Sequence, residues 1–156
     1  MPAYTGLSAA LAFQILDEAT DGVLVTDQRL PDSPIVYANP AFTSLTGYEA
    51  SELIGQNCRF LQGLDRDQPE IAAMREAFST DQHLTVTLRN YRRDGSMFWN
   101  EVRLAPLCIA GCPDTRVTHY VGFQRDVTAR VAGEVELRRA LQEGEEANAG
   151  RLRFLA

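Results

Sequence analysis

The stretch Gly55-Gln56-Asn57-Cys58-Arg59-Phe60-Leu61-Gln62-Gly63 places one thiol among three amides and a guanidinium, with a glycine at each end. A lone cysteine is ordinarily a small buried hydrophobe. Here Asn57, Arg59 and Gln62 fall within six positions of one another, and on one or two helical turns they converge on whatever the thiol faces. A cysteine hydrolase needs a histidine to make its thiolate. The chain has two histidines, His83 and His119, and neither adjoins an Asn or Asp relay motif. The stretch therefore reads as one wall of a ligand site.

Upstream, Asp21–Asp27 and Ile35–Asn39 read as strands joined by the turn-rich Leu30-Pro31-Asp32-Ser33-Pro34. Pro40 suits the first turn of a helix over Ala41–Thr46, and Ser51 reads as the cap of a short segment, Glu52–Gly55. Downstream, Pro69–Phe78 has an amphipathic helical pattern. Thr5–Glu18, with Leu7, Leu11 and Ile15 four apart and Leu16 beside them, reads as an N-terminal helix outside the core.

From Leu84 the period changes to two. Leu84, Val86, Leu88 and Asn90 share one strand face, and Thr85, Thr87, Arg89 and Tyr91 the other. After the Asp94-Gly95 turn, a hairpin signal, Phe98, Asn100, Val102 and Leu104 again share a face. A third strand, Val117–Val127, puts Tyr120, Gly122 and Gln124 on one side and the apolar Val121, Phe123 and Val127 on the other. The hairpin brings Asn90 and Asn100 close to cross-strand register, and the third strand can add Gln124. Three amides then interrupt three apolar rows on the core face. A buried amide left unbonded costs about 1–3 kcal/mol, so they bond one another or a ligand, and the thiol stretch favours a ligand.

Composition limits the function classes. The 156 residues suit one domain with an extension, and 45% hydrophobic content supplies a core. A net charge of −6 argues against a nucleic-acid face, which leaves a basic stripe. Met1–Phe13 lacks Lys and Arg, and no apolar run approaches the roughly 20 residues that span a bilayer, so the expectation is a cytoplasmic protein without a membrane partner. Cys108 and Cys112 have no second pair at zinc spacing; they read as reduced thiols in a loop, with no metal site.

The thiol stretch closely resembles the flavin-binding signature of LOV (light-oxygen-voltage) domains, a branch of the PAS fold. The similarity runs from about Gly22 to Thr128 and includes Thr26-Asp27, Ala41-Phe42, Gly47-Tyr48, Asn90-Tyr91, Asp94-Gly95, Phe98-Trp99-Asn100 and Gly122-Phe123-Gln124. It implies an α+β fold: a five-stranded antiparallel sheet with helices on one face, plus flanking N- and C-terminal helices. The implied division is a flanking helix over 1–20, a flavin-binding core over 21–127 and a signalling helix over 128–156.

The resemblance also implies roles. Cys58 would form a reversible adduct at the flavin C4a after blue-light excitation. Arg59 and Arg75 would hold the phosphate, and Asn57 and Gln62 would bind the ribityl and ring region. Asn90, Asn100 and Gln124 would read the polar edge of the ring, with Gln124 relaying the signal. Thr26, Ile35, Phe42, Ile54, Ile71, Met74, Phe78, Val102, Leu104, Tyr120 and Gly122 would line the pocket. Ser33 stands where many members carry Asn. The short Gly63–Pro69 segment lacks the insertion seen in members that hold FAD, so FMN is the implied cofactor.

Arg125-Asp126-Val127-Thr128 resembles the junction by which PAS-type sensors hand over to a signalling helix. The end of the tail, Arg153-Phe154-Leu155-Ala156, is similar to the lead-in of histidine kinase phosphoacceptor helices. The tail carries balanced charges with Val131, Val135, Leu137, Leu141, Leu152 and Leu155 as apolar positions. Together with the apolar outer strand face (Val121, Phe123, Val127) and the N-terminal helix (Leu7, Leu11, Ile15), these tail positions imply a homodimer through the flanking helices and outer sheet face, and the end of the tail implies a downstream kinase domain in a longer parent chain. The rival expectations are a standalone interaction module and a PAS domain that uses flavin for redox sensing in the dark.

Overall fold

A computed structural model describes residues 5–109 and 116–155. The chain divides into two compact units, one ending at Asp126 and one beginning at Val127. The first contains α1 (Ala9–Asp17), β1 (Gly22–Asp27), β2 (Ile35–Ala38), α2 (Pro40–Thr46), α3 (Ala50–Leu53), a 3-10 helix (Cys58–Gln62), α4 (Pro69–Ser79), β3 (Leu84–Tyr91), β4 (Met97–Leu107) and β5 (His119–Asp126). The second contains α5 (Thr128–Leu155).

The five strands form one antiparallel sheet in the order β2-β1-β5-β4-β3, so the last strand is inserted between the first and the fourth. The period-two rows of the second half set its faces. Leu88, Phe98, Val102, Leu104 and Tyr120 are buried on the side covered by the helices, together with Asn90, Asn100 and Gln124. This α+β arrangement is the expected PAS/LOV architecture.

Two apolar clusters sit between sheet and helices. Leu24, Ile35, Phe42, Leu53 and Leu61 form one, with Cys58 packed at its edge; Leu88, Val102, Leu104 and Tyr120 form the other, backed by Ile71, Met74 and Phe78. The 3-10 helix that carries Cys58 contributes Leu61 to the first.

Local chemistry sets the element ends. Asn39 caps α2 by accepting from the Phe42 N–H at 3.0 Å, and Pro40 occupies the first turn. Gly47 ends that helix at φ 77°, a left-handed position that favours glycine. The fully buried Asn39 also accepts from Val23 N at 2.8 Å and donates to the carbonyls of Leu16 and Asp21. Thus one side chain ties the end of α1, the start of β1 and the start of α2.

Several boundaries move from those read in the sequence. The short helix begins at Ala50, so Ser51 lies inside it, and the Glu49 N–H donates to the Glu52 carboxylate at 2.9 Å. The third strand begins at His119 rather than Val117, and Val127 lies beyond its end. The N-terminal helix spans Ala9–Asp17 and buries no residue, in keeping with its expected place outside the core. It is fixed at the edge of β2 by Tyr37, whose hydroxyl donates to Asp17 at 2.9 Å and whose ring lies 5.3 Å from that of Phe13. Burial and the Asp17 carboxylate raise the Tyr37 pKa to about 12. Among the described residues no helix is long and apolar enough to cross a membrane.

Candidate functional site

Asn57 opens the 3-10 helix with backbone at φ −77°, ψ 136°, and its side chain accepts from the Arg59 N–H at 2.9 Å. This cap starts a tight turn immediately at Cys58. The thiol is half-buried beside Leu24, Leu61 and their neighbours, and burial pushes its pKa up, so it stands protonated at neutral pH.

Cys58 faces a cavity of about 300 Å³, at the lower end of the ~300–1,000 Å³ range of small-molecule sites. The walls come from three directions. The 3-10 helix gives Asn57, Cys58, Arg59, Leu61 and Gln62; the segment after it and α4 give Arg66, Ile71, Met74, Arg75 and Phe78; the sheet gives Leu24, Leu88, Asn90, Val102, Leu104 and Gln124. Arg59, Arg66 and Arg75 are exposed, so the guanidinium groups mark the mouth, whereas Gln62, Asn90 and Gln124 are buried and mark the depth.

The three sheet amides meet, although not in direct cross-strand register: Asn90 stands opposite Phe98, Asn100 opposite Leu88, and Gln124 opposite Val102. Their diagonal offsets suit long side chains. Asn100 Nδ2 donates to Asn90 Oδ1 at 2.9 Å and to Gln124 Oε1 at 2.7 Å. Asn90 Nδ2 turns back to the Arg89 carbonyl.

The row is not self-sufficient. Asn100 Oδ1 is a buried oxygen without a hydrogen-bond partner among the described residues. Gln124 Nε2 and the Gln62 amide make no hydrogen bond to a described residue, and Arg75 has no ion pair among them. A buried polar atom left unmatched is costly, and in native proteins it usually marks a missing ligand or water. This donor and acceptor set, with apolar walls beside it and cations at the mouth, fits a flat heteroaromatic ring carrying carbonyl and N–H groups and an anionic tail.

Of the residues expected at the site, Asn57, Cys58, Arg59, Gln62, Arg75, Asn90, Gln124, Ile71, Met74, Phe78, Val102 and Leu104 are on the cavity wall. Asn100 lies behind it, joined through the amide row. Thr26, Ile35, Phe42, Ile54, Tyr120 and Gly122 lie off the wall. Ile35 and Phe42 belong to the adjoining apolar cluster, and Thr26 Oγ1 accepts from Gln28. The chain runs extended at Ile54, which is 46% exposed. Tyr120 donates to the carbonyls of Ala77 and Gln82 and packs edge-on against Phe78. A methyl at Gly122 would meet Leu24 and Leu104 at 3.6 Å, an ordinary contact, so these neighbours alone do not demand glycine there.

Leu24, Leu61, Arg66 and Leu88 are wall residues that the sequence reading did not single out. Leu88 was already on the inward row with Asn90, and Leu61 follows Cys58 by one 3-10 turn. Arg66, whose Nε donates to the Gly63 carbonyl at 3.3 Å, gave no periodic signal. Cys108 is exposed, Cys112 lies outside the described residues, and no metal-holding cluster occurs among the described ones.

Comparison with known proteins places this architecture. The PAS domain family model matches residues 20–129. The chain is 33% identical to the LOV domain of the blue-light activated histidine kinase of Erythrobacter litoralis EL346, with a TM-score of 0.65, covering 71% of this chain and 99% of that one. It is 43% identical over 115 residues to the blue-light-activated histidine kinase of Brucella ovis, covering 74% of this chain and 23% of that protein. It is 45% identical over 124 residues to the bacterioopsin transcriptional activator of Halobacterium salinarum, covering 80% of this chain and 18% of that protein. The fold and these matches define a PAS sensor domain. Within that class, the chain belongs to the LOV family. It spans less than a quarter of the length of these two relatives.

Proposed function

We propose that this chain is a blue-light sensor that binds FMN and forms a reversible bond between the Cys58 sulfur and the flavin C4a, passing the change to its C-terminal helix. The observation that carries this reading is the single cavity wall shared by a protonated thiol, a buried amide row with unmatched polar atoms, and arginines at the mouth. The likeness to LOV domains of blue-light-activated kinases supports it.

Bound flavin would supply blue absorption and, once excited, an electrophilic C4a. The remaining steps belong to the chain. Cys58 would bring sulfur and proton together to the cavity, because its raised pKa keeps the thiol intact. Arg59 and Arg75 hold the phosphate, Asn57 and Gln62 the ribityl chain and ring, and Asn90, Asn100 and Gln124 the polar ring edge. Gln124 is anchored at Oε1 by Asn100 while Nε2 has no partner among the described residues, so its amide would offer a donor to the polar ring edge, and a change in that bond would be felt through Asn100. It lies two positions before the end of β5, and α5 begins at Thr128.

The functional division proposed is 1–20 as flanking helix, 21–127 as photosensory core and 128–156 as signalling helix. The parent chain would be a cytoplasmic homodimeric histidine kinase. The test is an absorption spectrum before and after blue light. The parent protein should lose its flavin band and recover it in the dark, whereas Cys58→Ala should keep flavin and not bleach. An unchanged photocycle in Cys58→Ala would overturn the mechanism.

A further inference from the structure

Cys58 is mounted on the loop between β1 and β2 as much as on its own 3-10 helix. Gly55 N donates to Ile35 O at 2.9 Å, and Ile35 N donates to Gln56 O at 2.8 Å. Closer to the thiol, both flanking side chains reach one residue: Asn57 Nδ2 donates to the Asp32 carbonyl at 2.7 Å, and Arg59 forms an ion pair with the Asp32 carboxylate. The charged hydrogen bond from Arg59 lowers the Asp32 pKa, and the pair is mutual.

The loop is built to present that residue. Asp32 and Ser33 have φ of 65° and 47°, left-handed values that disfavour side chains, though Asp tolerates them better than most. From the β1 side they are held by Ser33 N to Leu30 O, Ser33 Oγ to Gln28 Oε1, and Gln28 Nε2 to Thr26 Oγ1. Backbone strain of this kind persists where surrounding bonds over-determine it, and it gathers at functional sites.

We infer that Asp32 is a positioning residue for the Cys58 thiol: by holding Asn57 through its carbonyl and Arg59 through its carboxylate, it fixes the 3-10 turn and so sets the thiol's approach to the cavity and the lifetime of the light state. The inference rests on the proposed function for its lifetime clause alone. With the strap loosened, Cys58 samples more orientations. Its sulfur becomes easier for a small reagent to reach, and the light state decays faster because the sulfur is held less firmly where the bond forms.

The test uses a Cys108→Ser, Cys112→Ser background, so that Cys58 is the remaining thiol. Alkylation of the purified protein in the dark by iodoacetamide forms an S–CH2 bond, expels iodide and releases the thiol proton to buffer; the uncharged reagent is insensitive to charge screening. Asp32→Asn keeps a residue that tolerates φ near 65° and removes only the charge. It should speed both alkylation and dark recovery by about threefold, the scale set by exposed ion pairs.

Salt separates the strap from a general loosening. The Arg59 and Asp32 side chains are 48% and 61% exposed, so ~1 M salt should screen their pair. The parent rate of alkylation should rise with salt toward that of Asp32→Asn, and the variant should not respond. Asp32→Gly, which has no left-handed penalty, should behave like Asp32→Asn and guards against a folding failure of the latter. Unchanged alkylation in both variants, or a salt response that persists in Asp32→Asn, overturns the inference. A parent that never bleaches overturns the proposed photochemistry, while the alkylation measurements still decide the strap.

Discussion

Asn100 donates to Gln124 Oε1 at 2.7 Å across two neighbouring strands while its own Oδ1 has no partner among the described residues. The contact makes Gln124 the end of a polar row that starts at Asn90 and finishes two residues before β5 ends. Gln124→Leu would keep the volume and remove both amide ends. Removing this acceptor should cost about 1 kcal/mol in thermal unfolding. Light bleaching should survive, since Cys58 is untouched, whereas light-minus-dark hydrogen exchange in α5 should fall well below the parent value. An undiminished exchange difference would remove Gln124 from the relay.

Tyr120 supports α4 from beneath rather than facing the cavity. Its hydroxyl donates to Ala77 O at 3.0 Å and Gln82 O at 3.2 Å, near the end of that helix. Tyr120→Phe should lower stability by about 1–2 kcal/mol, because buried carbonyls lose a donor. Flavin affinity should stay within about twofold, below the 1.4 kcal/mol that separates tenfold steps. Isothermal titration with FMN and a thermal melt measure the two effects, and a large affinity loss would return Tyr120 to the wall.

The segment between Gly63 and α4 is fastened to β3 through Asp65. Its carboxylate accepts from Arg89 Nε at 2.6 Å, Arg89 Nη2 at 2.9 Å and Tyr91 Oη at 2.7 Å. Those donors lower the Asp65 pKa to about 2, from the 3.8 of an unperturbed side chain. A depressed carboxylate contributes stability above its unfolded pKa and loses it as pH falls through the folded one. The parent should therefore exceed Asp65→Asn in melting temperature from about pH 5 upward, with the difference shrinking between roughly pH 4 and 2. Equal acid limbs for the two proteins would show that the latch adds nothing.

The sequence exposed the inward rows of β3, β4 and β5 because alternation has period two and each row was broken by one amide. Leu88 shared a row with Asn90 and could have been added to the wall by the same rule. Asn39 was different: its partners are at Leu16, Asp21, Val23 and Phe42, and this convergence depends on how three elements meet. Arg66 was hidden for a related reason, since a solvated arginine in an aperiodic segment resembles any surface charge until the cavity beside it is seen. Ile54 shows the opposite failure. The family resemblance implied a pocket-lining position, but Ile54 is the extended cap after α3 and is 46% exposed, off the cavity wall.

The last prediction concerns α5, a 28-residue helix in which no described side chain is buried. At 1.5 Å per residue it extends about 42 Å. Val135, Leu137, Leu141 and Leu152 are each 60–63% exposed along it. Arg139 pairs with Glu136 and Glu143, and Arg130 with Glu134, bonds that support an isolated helix only weakly. Gly133, Gly144 and Gly150 each cost helix stability, and none has a neighbour that a methyl would touch. A helix so weakly supported by its own sequence gains most of its order from a partner. A second copy fits, because a twofold pair covers the same leucines on both chains. The parent protein should therefore scatter light as a dimer, and Leu141→Glu should shift it toward monomer while leaving the bleaching of the core intact. Gly144→Ala should raise helicity and tighten the dimer, the reverse of the charged substitution. A parent that is monomeric in both dark and light would remove the dimer and weaken the proposed homodimeric kinase with it.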